Sequence, residues 1–154
     1  MTLMPPRAVL GLFRIGLGVL FIAAAWPKLM DPFGFAKSVS NYHMLPLALE
    51  RALALVLPVL ELAVGVCLVV GVVDAGASLI VLSLMVVFTV AVGTALARGL
   101  DISCGCFDTD EGAKVGLDKI AENLALTAVA LWVWLGDRTF LSLGERLRRE
   151  SDIE

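Results

Sequence analysis

Residues 52–97 read ALALVLPVLELAVGVCLVVGVVDAGASLIVLSLMVVFTVAVGTALA, and only Glu61 and Asp74 in this run carry charge. A helix needs roughly 20 apolar residues to cross a hydrocarbon core about 30 Å thick. The run holds two such lengths, about Ala52 to Val73 and Ala75 to Ala97, joined at Asp74, and so predicts a tight membrane hairpin. A third apolar stretch, about Ala8 to Leu29, precedes it. A shorter one, about Ile120 to Leu135, follows, and Trp132 and Trp134 near its end suit an interfacial aromatic belt. Over the 154 residues, 59% are hydrophobic and 18% charged, with a mean hydropathy of +0.91. A soluble domain of this size could not bury so much apolar surface. The expectation is therefore all-α: a polytopic membrane four-helix bundle forming one domain over residues 1–154, with a polar C-terminal tail at 138–154.

The first span has Ala23-Ala24-Ala25 as a cleavage-like site, but its apolar region is too long for a signal peptide and reads as a retained helix. The net charge of -3 provides no basic field, which excludes nucleic acid as a partner. Four spans put both termini on one side of the bilayer, and two longer segments, about Met30 to Arg51 and Arg98 to Lys119, on the other. Lys28, Lys37, Arg51, Arg98, Lys114 and Lys119 are assigned to that second side. The densest basic cluster is Arg146, Arg148 and Arg149, which points the termini toward the cytoplasm of a bacterial inner membrane. The other side then faces an oxidising compartment.

Between the first two spans, Asp31 to Pro46 reads either as a short amphipathic helix lying in the interface or as a hairpin connector held down by its aromatics. Phe35, Val39 and Tyr42 share one stripe, Lys37, Ser40 and Asn41 lie away from it, and Pro32 and Pro46 bracket the piece. Within the spans, steps of three and four place Gly11, Arg14 and Gly18 on one face, Pro58, Glu61 and Gly65 on another, and Asn123, Thr127 and Ala130 on a third. Small residues let membrane helices approach closely, so these faces are expected to point inward.

Arg14 and Glu61 are intramembrane charges, which are costly enough to mark candidate sites. Counting residues from the span ends puts their Cα atoms about 7 Å apart in depth, within reach of a long arginine. The lean of helical side chains toward their own N-terminus opposes that pairing. Two readings stand: a structural ion pair, or a polar pocket for a quinone head group or a proton relay.

The chain has three cysteines, too few for a small-protein disulfide framework. Two of them, Cys104 and Cys106, flank Gly105 in a polar segment. A disulfide over one intervening residue closes a small strained ring, which glycine tolerates best. Strained, exposed disulfides are the easily reduced ones. The pair therefore fits thiol–disulfide exchange, with capture of a sulfur species or soft metal ion, or a passive structural role, as the alternatives. His43 on the same side is a third metal ligand or a simple hydrogen-bonding residue. Cys67, deep in the second span, reads as a packing residue.

Taken in order, Arg14 with its following glycines, Lys28, Pro32-Phe33, Tyr42 to Pro46, Pro58-Val59-Leu60-Glu61-Leu62-Ala63-Val64-Gly65, Arg98-Gly99 and Cys104-Gly105-Cys106-Phe107 resemble the MauE/DoxX family of redox-associated membrane proteins. The resemblance covers about Val9 to Leu135. It implies a thioredoxin-like partner and disulfide formation in periplasmic proteins, or sulfur- or quinone-linked redox chemistry. The four-helix plan is also similar to quinone-linked membrane disulfide oxidoreductases, but those use two cysteine pairs and this chain has one. Cys104 and Cys106 must then exchange directly with a quinone, a partner protein or a second copy of the chain. The resulting expectation is a membrane thiol–disulfide redox protein with Cys104 and Cys106 as the exchanging pair and Arg14 and Glu61 lining a polar pocket. The competing expectation is a non-enzymatic carrier of a sulfur species or soft metal ion.

Overall fold

A computed structural model of the chain describes residues 7–72, 74–100, 102 and 116–136. Those residues form five helices and no strand: α1 (Arg7–Met30), α2 (Pro32–Ser40), α3 (Leu47–Val70), α4 (Asp74–Ala97) and α5 (Leu117–Gly136). Three stretches, Val9–Met30, Leu47–Val70 and Gly76–Ala97, are long and apolar enough to cross a bilayer. The described residues are thus all-helical, and the chain is a multi-pass membrane protein. Helix α5 is not one of those three, but its 20 residues extend about 30 Å at 1.5 Å per residue.

Local chemistry fixes the helix ends. Asp31 caps α2 by accepting a hydrogen bond from Gly34 N at 2.9 Å, and Pro32 occupies the first helical position, where its missing N–H costs nothing. Gly71 closes α3 in the left-handed conformation at φ 79°. Its N–H and that of Val72 both donate to the Cys67 carbonyl, turning the chain into α4 within a few residues.

Three boundaries differ from the sequence reading. Helix α3 begins at Leu47 rather than Ala52, because Pro46 supplies an extended N-terminal cap whose carbonyl accepts from Leu49 and Glu50. Helix α5 begins at Leu117, three residues before Ile120. Helix α2 ends at Ser40, so Tyr42 lies in the following turn and the buried residues of the helix are Phe35 and Ser38. His43 in that turn has a positive φ of 48°.

Helix α1 packs chiefly on α3, and α4 on α5, with α3–α4 and α1–α5 contacts joining the two pairs. The core draws on all four of these helices through Leu17, Phe21, Val64, Leu68, Ala77, Val81, Met85, Ala130 and Val133. Cys67 is half-buried against this core, as a packing residue would be. Large apolar side chains such as Leu12, Val19, Leu55, Val59, Val87 and Val90 face outward, as lipid-facing positions do. The closest approach is between α1 and α3. A Cβ on Gly18 would lie 2.8 Å from the Gly65 carbonyl oxygen, and a Cβ on Gly65 would lie 2.8 Å from that of Gly18. The glycine faces read from sequence do meet here.

Candidate functional site

The Gly18–Gly65 contact sets the register of α1 against α3. Lys28, later in α1, meets Glu61, earlier in α3, so the two helices run antiparallel. Four residues on from Gly18, Ile22 is level with Glu61. Arg14 lies eight residues from that level, about 12 Å along the axis. The depth offset of about 7 Å expected from the sequence is too small. Counting from the span ends does not fix how one helix is set against the other, whereas the Gly18–Gly65 contact does.

Glu61 therefore pairs with Lys28. Lys28 Nζ donates to Glu61 Oε1 at 2.7 Å and to Oε2 at 2.8 Å, and both side chains are only 1% exposed. The side-chain lean that separates Arg14 from Glu61 draws Lys28 and Glu61 together. Lys28 points back along α1 toward Glu61, and Glu61 points back along α3 toward Lys28. Lys28 is thus not a loop-side cation. It continues the inward stripe Arg14, Gly18, Phe21, Ala25, Lys28, all spaced by three or four residues and all buried. That spacing is the signal in the sequence that assigns Lys28 to the core.

Two aromatic rings enclose the ammonium. Its Nζ lies 5.1 Å from the Phe35 ring centroid and 5.3 Å from that of Phe88. Both distances suit a cation–π contact. Helix α2 thereby covers the pair through Phe35. Arg14 is buried as well (3% exposed) and has interactions of its own, near the end of α1 where Phe13 meets Trp132 edge-on at 5.4 Å.

A cavity of about 20 Å³ adjoins the pair, lined by Lys28 and Glu61 together with Phe21, Met85, Phe88 and Asn123 among others. That volume holds about one water molecule. The predicted inward face of α5 is present: Asn123 and Ala130 are buried, and Thr127 Oγ1 donates to the Asn123 carbonyl at 2.6 Å. Among the described residues no cluster of three or more His, Cys, Asp or Glu side chains is arranged to hold a metal ion.

Cys104 and Cys106 lie outside the described residues, as does the tail at 138–154. The chain leading to the cysteines is described as far as Leu100 and again at Ile102. Arg98 Nη1 donates to the Tyr42 carbonyl at 2.8 Å, and Thr94 Oγ1 contacts Met44 Sδ at 3.4 Å. Gly99 turns the chain in the left-handed conformation at φ 67°. The end of α4 is thus fastened to the turn that follows α2, at the end of the molecule that α2 covers.

The family profile described as "Methylamine utilisation protein MauE" matches residues 6–136. A methylamine utilization protein MauE from Paracoccus denitrificans is 40% identical over 129 residues, which is 83% of this chain and 69% of that protein. Its counterpart from Methylorubrum extorquens is 38% identical over 138 residues, covering 88% of this chain and 74% of that protein. A third, from Paracoccus versutus, is 39% identical over 119 residues, covering 77% and 64%. No solved structure matches the chain. The profile spans all five helices, including the paired Lys28 and Glu61, and on that ground the chain belongs to the MauE family.

Proposed function

We propose that this chain is a membrane thiol–disulfide exchange protein serving methylamine utilisation, with Cys104 and Cys106 as the reacting pair and a thioredoxin-like protein as partner. In this reading α5 is the fourth span of a four-helix bundle in the bacterial inner membrane, and α2 lies in the outer interface. The Cys104 segment faces the periplasm.

The observation that carries the reading is the fastening of the α4 end to the turn after α2 through Arg98 and Tyr42. The last described residues before the pair, Leu100 and Ile102, follow directly on that fastened end of α4, which supports a reading in which the segment meets its partner on the side that α2 covers. A thiolate of the reduced pair attacks one sulfur of the partner's disulfide, breaking that bond and forming a mixed disulfide. The second cysteine displaces the partner, leaving a Cys104–Cys106 disulfide on this chain and two thiols on the partner. Two electrons and two protons pass to the partner, and the reverse sequence returns them. Arg14 and Glu61 act in this scheme as bundle-interior polar groups, with Lys28 as the counter-ion of Glu61. No step passes through a quinone.

Thiol trapping of Cys104 and Cys106 in intact membranes tests the proposal. The trapped redox state should follow deletion or overproduction of the thioredoxin-like partner, and Cys104→Ser or Cys106→Ser should accumulate a mixed disulfide with it. Thiols that stay reduced throughout, yet take up Cu(I) or sulfane sulfur, would replace exchange with the carrier function.

A further inference from the structure

Asn123 is 93% buried by its 7% exposure, and its Nδ2 atom has no hydrogen-bond partner. Buried amide donors are rarely left so, and an ordered water commonly supplies what the protein does not. Asn123 lines the same cavity as Lys28 and Glu61, and the volume of about 20 Å³ matches one water molecule. The remaining hydrogen-bonding capacity is complementary. Lys28 has three N–H donors and spends two on Glu61, and each Glu61 oxygen retains a lone pair beyond the one that Lys28 occupies.

We propose that Lys28, Glu61 and Asn123 form a binding site for a single water molecule. The water accepts from Asn123 Nδ2 and from the third Lys28 N–H, and donates to a Glu61 oxygen. The rest of the lining is apolar, from Leu20, Phe21, Met85, Phe88 and Leu126, so nothing larger or more polar is held. The site links α5 to the α1–α3 ion pair through a proton-bearing molecule. The pair is thereby a hydrated, proton-exchanging centre rather than a dry salt bridge.

The site draws on one residue each from α1, α3 and α5. Helix α2 contributes the Phe35 ring and α4 the Phe88 ring, both beside the ammonium. The other buried ionisable side chains of the inward faces, Arg14 and Glu50, lie respectively eight residues from the Glu61 level on α1 and eleven residues from Glu61 on α3. Among the described residues, the water is the link that joins the pair to Asn123 of α5.

Water-edited solid-state NMR on the full chain in lipid bilayers, with ¹⁵N-lysine and ¹³C-glutamate labels, tests this without reference to the cysteines. Magnetisation from water should reach Lys28 Nζ and Glu61 Cδ at short mixing times in the native protein. Asn123→Leu fills the cavity with carbon and should abolish the transfer, whereas Asn123→Ala leaves room and should keep it. A native protein without transfer overturns the proposal, and so does full transfer in Asn123→Leu or loss in Asn123→Ala. If Asn123→Leu does not fold, the native and alanine spectra decide the question. The result is independent of whether Cys104 and Cys106 exchange disulfides.

Discussion

Removing Lys28 should expose how much of the fold rests on one ion pair. In Lys28→Met the carboxylate of Glu61, 1% exposed and holding two hydrogen bonds of 2.7 and 2.8 Å from the lost ammonium, is left without a counter-charge. Breaking a buried pair on one side costs about 3–5 kcal/mol. Glu61→Leu strands Lys28 in the same way and should cost about as much. The double variant Lys28→Met/Glu61→Leu removes both charges and leaves two apolar side chains of similar length. It should therefore lose far less than the sum of the single changes, with a coupling energy of about 3 kcal/mol or more. Arg14→Met combined with Glu61→Leu should be additive within about 0.5 kcal/mol, because their levels differ by about 12 Å. The assay is reversible unfolding in mixed micelles on titration with a denaturing detergent, followed by helical circular dichroism. Additive behaviour of Lys28 and Glu61, or strong coupling of Arg14 with Glu61, would refute the register derived from Gly18 and Gly65.

Gly18→Ala places a methyl group 2.8 Å from a backbone oxygen that cannot move without its helix, so it should destabilise by about 1–3 kcal/mol. Gly16→Ala, with open space at its Cβ, should stay within about 0.5 kcal/mol in the same unfolding assay. Arg98→Met should cost about 0.5–1.5 kcal/mol locally and speed hydrogen exchange at Tyr42 and His43 while leaving α1 and α3 unchanged, and equal protection in both proteins would discount the fastening. Tyr42 is the only tyrosine of the chain, so phenolate absorbance reports it alone. Burial raises its titration above the ordinary tyrosine value near 10. The folded state then binds this proton more tightly than the unfolded state. That contribution is fully present below about pH 10 and is lost as the pH climbs through the elevated folded value. Ionisation at the ordinary value would contradict the burial.

The long helices were readable because hydropathy and length report directly on the solvent. The inward faces were readable because Gly18 and Gly65 sit at helical spacing from charged residues. The partner of Glu61 was not, and the reason is geometric. Depths counted from the ends of apolar runs leave the sliding of one helix along another undetermined, and a few residues of slide put Arg14 within apparent reach. The Gly18–Gly65 contact removes that freedom. Lys28 counts with the cations of the second side in the sequence because it lies near the end of its apolar run, where a lysine ordinarily snorkels to the interface. Its burial follows from α2, whose Phe35 closes over the position that water would occupy. The stripe through Tyr42 runs past the end of α2 at Ser40 because an apolar stripe does not report a helix stop. The fastening by Arg98 joins residues 56 positions apart, a contact that periodicity within one element does not encode.

The pairing of Lys28 with Glu61 also constrains how the chain enters its membrane. A lone charge at the centre of an inserting helix raises the insertion cost by about 2.5–3.5 kcal/mol. Glu61 lies 15 residues into a 24-residue helix and faces that cost in full, while Lys28 lies close enough to the end of α1 to wait at the surface. Insertion should therefore be ordered: α1 goes in first with its ammonium at the headgroups, and α3 follows by delivering its carboxylate to that waiting partner. Glycosylation mapping of α3 insertion, with and without a preceding α1 that carries Lys28, would show whether one helix escorts the other into the bilayer.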